Sequence, residues 1–250
     1  MIKLKNSPWD LIADWYIQRA GDKGDINQRT VINPAILECL GKIKGKNILD
    51  AGCGHGYLSR MLEKQDAHII GIDSSKKLID YACSRGGTTK YIQSDLFKVN
   101  ELFSREEFDI IILNMVIHNI SDLETLCKKL SWVLKNQGDL IITTLHPCFI
   151  IPQFFRWEDD SRLVMTGYFD LPSPLTRRLD KSSTIEIPFY HRTLEDYVKV
   201  FARNNLLVID LKELRKSEES LRKGKNSNIK RKFPTFLLIH YKKIELPNPR

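Results

Sequence analysis

Three glycines at alternate positions inside ILDAGCGHGYL, residues 48–58, constrain this chain more than any other feature. An apolar run closed by Asp50, then Gly52, Gly54 and Gly56, then a helix-forming segment reads as strand, tight turn and helix. Glycine adopts positive φ without strain and carries no Cβ to hold a ligand away from the main chain. In open α/β sheets such turns lie at the carboxyl ends of strands, where ligands bind. The turn therefore predicts a binding site built partly from backbone.

The surrounding pattern agrees. NILD, HIIGID, KYIQSD, FDIIILN and DLIITTLH (47–50, 68–73, 90–95, 108–114 and 139–146) are short β-branched runs. Their apolar character is continuous rather than alternating, as expected of parallel strands covered on both faces. Helical segments separate them at 57–65, 75–85 and 121–136. In the last, Leu123, Leu126, Leu130, Val133 and Leu134 share one face, Ser121 and Glu124 have capping-box spacing, and Gly138 is placed as a stop. The expected architecture is a doubly wound, Rossmann-like α/β sheet in a single domain. Residues 1–46 form an N-terminal helical cap, 47–146 the core, 147–192 a proline-containing lid insertion rich in aromatics, and 193–250 a last helix capped by Thr193 and two more strands.

Composition narrows the function classes. No apolar run approaches the ~20 residues needed to span a bilayer, and MIKLKNSPWD lacks the apolar core of a signal peptide, so a cytoplasmic protein is expected. Cys39, Cys53, Cys83, Cys127 and Cys148 contain no C-x-x-C pair and suggest neither a disulfide framework nor a metal site. Most of the +8 net charge lies between Lys212 and Lys232, where nine Lys and Arg face three Glu. A solvated loop is the plain reading of that stretch; a grip on RNA or an anionic substrate is the sharper one.

The ligand class follows from the acids. Dinucleotide sites use G-x-G-x-x-G for pyrophosphate, but here the third glycine comes one residue early and Asp50 would repel an anion. Asp73 ends the second strand, where a carboxylate commonly receives a ribose diol, and Asp95 follows the third, in reach of an exocyclic adenine amine. Three acids on three neighbouring strand tips favour a cationic nucleoside.

ILDAGCGHG, IIGID, YIQSD, FDIIILN and WVLKNQGDLIITT resemble the successive motifs of the class I S-adenosylmethionine-dependent methyltransferases, and PFYHRTLEDYVKVFARNNLLVIDLKEL with FPTFLLIHYKK resembles the C-terminal part of their small-molecule branch. The resemblance implies a seven-stranded sheet whose last strand is antiparallel. It also implies S-adenosyl-L-methionine as cofactor, with the turn residues Asp50, Ala51, Gly52, Cys53, Gly54 and Gly56 at its methionine end. Asp73 would hold the ribose, Ser94, Asp95, Leu96 and Phe97 the adenine, and Asn114 the sulfonium side; Ser74 and Met115 would be further cofactor-binding residues, and Tyr16 would fold over from the N-terminal helix. Asn204-Asn205-Leu206 departs from the family's Ala-Gly-Phe, but Asn tolerates a left-handed C-cap.

Methyl transfer needs an acceptor placed in line, with a base where the nucleophile is protonated. His118, His146 and His191 are the candidate catalytic histidines by position. The expected partner is a small-molecule acceptor with an O or N nucleophile, aromatic or anionic in character. The lid aromatics fit an apolar or planar body, and Arg156, Arg162, Arg177, Arg178 or Arg192 could receive a carboxylate or phosphate. A monomer or homodimer is expected, and nucleic acid is disfavoured because Asn114 is followed by Met-Val-Ile rather than Pro-Pro-aromatic. The competing readings are a tRNA methyltransferase using the 212–232 loop, a nicotinamide-dependent oxidoreductase, and a non-catalytic binding module on the same fold.

Overall fold

The computed structural model describes residues 7–151, 154–158, 162–169, 171–179, 185–221 and 233–245; residues 222–232 of the basic stretch lie outside them. The strands are β1 (Asn47–Ala51), β2 (His68–Asp73), β3 (Lys90–Gln93), β4 (Phe108–Asn114), β5 (Leu134–Leu145), β6 (Phe155–Trp157), β7 (Leu163–Met165), β8 (Leu175–Arg177), β9 (Ile187–Phe189), β10 (Leu206–Leu214) and β11 (Phe236–Lys243). One seven-stranded sheet has the order β10-β11-β5-β4-β1-β2-β3. β1 to β5 are parallel, and β11 is antiparallel to both β5 and β10. This is the α/β architecture the pattern predicts. The chain leaves β1 toward β2 and β3 and then returns to β4 on the other side, so the strand order reverses between β1 and β4. A crevice at the strand tips follows from that reversal.

Both faces of the sheet are buried, as the continuous apolar runs require. Leu49, Ala51, Ile111, Leu113 and Ile142 pack on one face with α7 (Leu123–Val133) and α8 (Leu194–Ala202). Ile48, Ile110, Ile112 and Ile141 pack on the other with α3 (Asn33–Leu40) and α4 (Tyr57–Glu63). Each such Leu or Ile contributes about 1.5–3 kcal/mol by leaving water. The remaining helices are α1 (Pro8–Leu11), α2 (Ala13–Ala20), α5 (Lys76–Ser84), α6 (Val99–Leu102) and α9 (Glu218–Leu221), with a π-helical turn at Gln28–Ile32. No helix among the described residues is long and apolar enough to cross a membrane.

Local expectations are met in part. Thr193 caps α8 in a full capping box with Asp196, and Asn205 takes the left-handed conformation at φ 63°. The N-cap of α7, however, is Asp122, whose carboxylate accepts from the Thr125 N–H, and not Ser121. That helix stops at Val133, and the chain is already strand from Leu134, which pairs with Phe108. Leu134 completes the helical stripe in sequence but lies in β5, with Gln137 absorbing the local kink at φ 58°. The 147–192 segment holds two small antiparallel hairpins, β6–β7 and β8–β9, too short to show a period.

Candidate functional site

A cavity of about 750 Å³ opens over the tips of β1 to β5. Its floor explains the glycines unequally. Gly52, at φ 83°, has Val116 packed so close that a Cβ would lie 2.4 Å from a valine methyl carbon. Gly56 is likewise pressed by Tyr91, whose hydroxyl donates to the Gly56 carbonyl at 3.2 Å, and it does not border the cavity. Only at Gly54 is the space beside the α-carbon open, with the Tyr16 ring edge at 3.6 Å from the position of a Cβ. Two of the three glycines thus let the chain bend between packed neighbours, and one leaves bare backbone facing the cavity.

Asp73 is the post around which the turn is tied. One carboxylate oxygen accepts from the Gly54 N–H at 2.9 Å and the other from the Ser75 N–H at 2.8 Å. Gly52 and Cys53 add N–H bonds to the Ile72 carbonyl at 2.7 and 2.9 Å. Burial raises the Asp73 pKa from its ordinary value, against those hydrogen bonds. A carboxylate offers about four acceptor positions, more than these backbone donors fill, so room remains for a ligand.

Asp50 has a different task. It is buried beneath the turn, does not border the cavity, and accepts from the Ser59 hydroxyl of α4 at 2.6 Å. Desolvation pushes its pKa up to about 6 from 3.8. Because the folded value exceeds the unfolded one, its stabilising contribution is full below pH 3.8 and is lost as pH rises through 6, at a cost on the order of 2–3 kcal/mol. Asp50→Asn, which keeps an acceptor for Ser59, is therefore expected to gain stability over the unchanged protein at pH 8 and not at pH 3.5. Thermal unfolding at the two pH values checks this, and equal differences would contradict it.

The other predicted residues divide clearly. Tyr16, Ser74, Asp95, Leu96, Phe97, Asn114 and Met115 border the cavity, whereas Ala51, Cys53 and Ser94 do not. Burial holds the Cys53 thiol far above its usual pKa, which disfavours the thiolate. Asp95 is exposed and caps the turn at Leu96–Lys98 by accepting from the Phe97 N–H at 2.9 Å. Asn114 is fixed at both ends: its amide donates to the Tyr57 hydroxyl at 2.8 Å, and its carbonyl accepts from Thr143 at 2.7 Å. The next residue, Met115, is strained at φ 60°, which the Thr143 carbonyl and hydroxyl hold in place through the Met115 N–H.

Of the three histidines, only His118 borders the cavity. Its Nδ1 meets the Thr144 hydroxyl at 3.1 Å, and burial with the nearby charges of Arg177 and Arg192 pushes its pKa down to about 3. It is therefore neutral throughout the physiological range. His146 is buried elsewhere, bonded to Glu213 at 2.9 Å and to the Cys148 N–H at 3.2 Å. His191 is bonded to the Tyr168 carbonyl at 2.9 Å, outside the cavity lining.

Two residues that hold the N-terminal segment against the site carried no signal of their own in the sequence. Asp10 of α1 accepts from the Ser75 hydroxyl at 2.6 Å and the Lys77 N–H at 3.1 Å, docking the N-terminal segment on α5. Gln28 reaches the Tyr16 hydroxyl at 3.4 Å, and burial pushes that phenol up to about 12. A capping Ser-Pro at 7–8 is the only local clue, since Ser7 accepts from the Trp9 N–H.

Comparison with known proteins bears on the family and the fold. Ubiquinone biosynthesis O-methyltransferase of Coxiella burnetii is 29% identical over 145 residues, which cover 56% of this chain and 60% of that protein. The match thus spans about three fifths of that curated relative's length. A solved S-adenosylmethionine-dependent methyltransferase from Mesorhizobium loti superposes with a TM-score of 0.71 at 22% identity, over 84% of this chain and 96% of that one. Phosphoethanolamine N-methyltransferase 2 of Haemonchus contortus, solved with S-adenosyl-L-methionine, has a TM-score of 0.65 at 17% identity, over 94% of this chain and 57% of that one. At these identities the structures attest the fold. Residues 42–190, more than half of the chain and including the glycine turn and the tips of β1 to β5, match a family profile described as a methyltransferase domain, and the chain belongs to that family.

Proposed function

We propose that this protein is an S-adenosyl-L-methionine-dependent methyltransferase acting on a small-molecule acceptor. The observation that carries the reading is the cavity itself, which joins the open backbone of Gly54 and the free acceptor positions of Asp73 to His118 and the β8–β9 hairpin. The residues present fit the cofactor: bare backbone at Gly54 for its methionine end, Asp73 for its ribose diol, and Asp95 with Leu96 and Phe97 for its adenine. When bound, it supplies a methyl group on a positively charged sulfur. Everything else falls to the chain.

Asn114, held rigid by Tyr57 and Thr143, presents a fixed amide beside the place where the methyl group is transferred. Tyr16 and Trp15, from α2, close the cavity against water. The N-terminal helices and the 147–192 insertion serve as cap and lid, and the acceptor lies between the lid and the strand tips. Bound cofactor would supply the methyl group, and the cavity would hold the acceptor's O or N nucleophile in line with it. The proton of the nucleophile passes to neutral His118 or to water.

The test is release of S-adenosylhomocysteine, followed by mass spectrometry, across a panel of small phenols, amines and carboxylic acids. One or more acceptors should gain 14 mass units per methyl, and His118→Ala should lower that turnover by about 10²-fold if the imidazole takes the proton. A protein that binds S-adenosylhomocysteine yet methylates nothing on the panel or in a small-molecule extract would favour the binding-module alternative.

A further inference from the structure

The insertion holds a charge that the fold itself does not use. In β8, Leu175 and Arg177 are two residues apart and point to the same face of the hairpin. Opposite them, Phe189 pairs with Leu175 and Ile187 with Arg177. Leu175, Ile187 and Phe189 are all buried, so Arg177 occupies the inner, apolar face. The hairpin is strapped to the strand tips, since the Tyr190 N–H donates to the His118 carbonyl at 2.7 Å and the Phe189 and His118 rings lie 5.3 Å apart. The guanidinium is thus delivered into the cavity on a fixed support.

Other arginines of the region are accounted for. Arg156 and Arg162 face Glu158 at 3.9 and 3.4 Å, and Arg178 pairs with Glu186 at 3.2 Å. Arg192 caps the carbonyls of Ile117, Ile120, Ser121 and Tyr190. Arg177 alone among these five borders the cavity, and no carboxylate among the described residues lies within ion-pairing distance of it. Arg19 of α2, stacked over Trp15 at 5.5 Å, borders the same cavity, and its charge adds to the penalty that desolvation imposes on Arg177. A half-buried guanidinium facing another cation and no anion is costly unless a ligand supplies the counter-charge.

We propose that Arg177 is the anion anchor of the acceptor site, and that the acceptor is a small molecule carrying a carboxylate or phosphate on an apolar, ring-sized body. The inference rests on the methyltransferase reading for the word acceptor, but the anion site stands on its own geometry. Phe149, Phe155, Leu163 and Pro188 line the cavity as apolar walls. The cofactor carries one carboxylate of its own, and Arg19, on the same helix as Tyr16 and in the same lining, is a second cation available to it. Arg177 is then left for the second ligand. An anion there would also screen one of the two charges that depress His118, making the imidazole a better proton acceptor once the acceptor is seated.

The experiment titrates the full chain, saturated with S-adenosylhomocysteine, with benzoate, phenyl phosphate and benzamide, read by ligand-observed NMR. At least one anion should bind about tenfold or more tightly than the neutral amide. Arg177→Gln should lower that anion's affinity by about tenfold or more, Arg177→Lys should restore part of it, and both variants should bind S-adenosylhomocysteine within about twofold of the unchanged protein. That last readout also shows that the variants are folded. The proposal is overturned if neither anion exceeds benzamide, if Arg177→Gln leaves anion binding intact, or if it weakens S-adenosylhomocysteine instead, which would assign the guanidinium to the cofactor's carboxylate. Failure of the unchanged protein to bind S-adenosylhomocysteine, with benzoate still held by Arg177 in a titration without it, would refute the proposed activity and leave the anion site standing.

Discussion

Gly52→Ala is expected to lower the melting temperature by about 5–15 °C and to abolish measurable binding of S-adenosylhomocysteine. Two costs add at this position. A non-glycine residue at φ 83° loses about 1–2 kcal/mol, and a Cβ placed 2.4 and 2.9 Å from the two methyl carbons of Val116 forces a repacking worth about 1–3 kcal/mol more. For a chain of this size each kcal/mol moves the midpoint by about 2–4 °C. The displacement also falls on the turn that Asp73 and Ile72 hold against the cavity floor. Gly45→Ala separates the two terms, because Gly45 has φ 72° and nothing within 4 Å of the added carbon. It should show the conformational cost alone and leave ligand binding unchanged. Differential scanning calorimetry of the two variants gives the comparison, and equal losses would mean that the Val116 contact does not matter.

Asp73→Ala should reduce affinity for S-adenosylhomocysteine by about 10²-fold or more while the protein stays folded. The variant loses an anionic acceptor for a ribose diol, and hydrogen bonds to charged groups contribute about 1.5–3 kcal/mol each. It also orphans the N–H groups of Gly54 and Ser75, so the turn loosens and the bare backbone at Gly54 is no longer held in place. Asp73→Asn keeps one acceptor and should fall between the two. Isothermal calorimetry reads the affinities, and thermal unfolding confirms the fold. An affinity within threefold of the unchanged protein for Asp73→Ala would remove the ribose assignment.

How far the sequence revealed this depends on whether the cause was local. The five parallel strands were legible because burial on both faces demands unbroken apolar runs, and Ile110, Ile111, Ile112 and Leu113 supply one. The turn was legible because positive φ demands glycine, yet its meaning was only half visible. Val116 and Tyr91, which explain Gly52 and Gly56, lie 64 and 35 positions further along the chain. The end of α7 was misplaced since Leu134 satisfies a helical stripe and a strand equally well, and pairing with Phe108 decided between them. Ser121 and Asp122 are both good caps, and the backbone chose the second. Arg177 could be named as a candidate but not singled out from four neighbours. Only the hairpin register and the four partnered arginines distinguish it. His146 and His191 had the same standing as His118 in sequence, and tertiary hydrogen bonds to Glu213 and Tyr168 account for them elsewhere.

The central claim is that a sulfur-bearing nucleoside sits on the backbone at Gly54 with its ribose on Asp73. A crystal structure of the protein with S-adenosylhomocysteine tests this most directly. The account predicts both ribose hydroxyls within hydrogen-bond distance of the Asp73 carboxylate, the adenine against Leu96 and Phe97, and the sulfur on the Asn114 side of the cavity. Density for the nucleoside away from β1 and β2, with Asp73 still bonded only to Gly54 and Ser75, would contradict it.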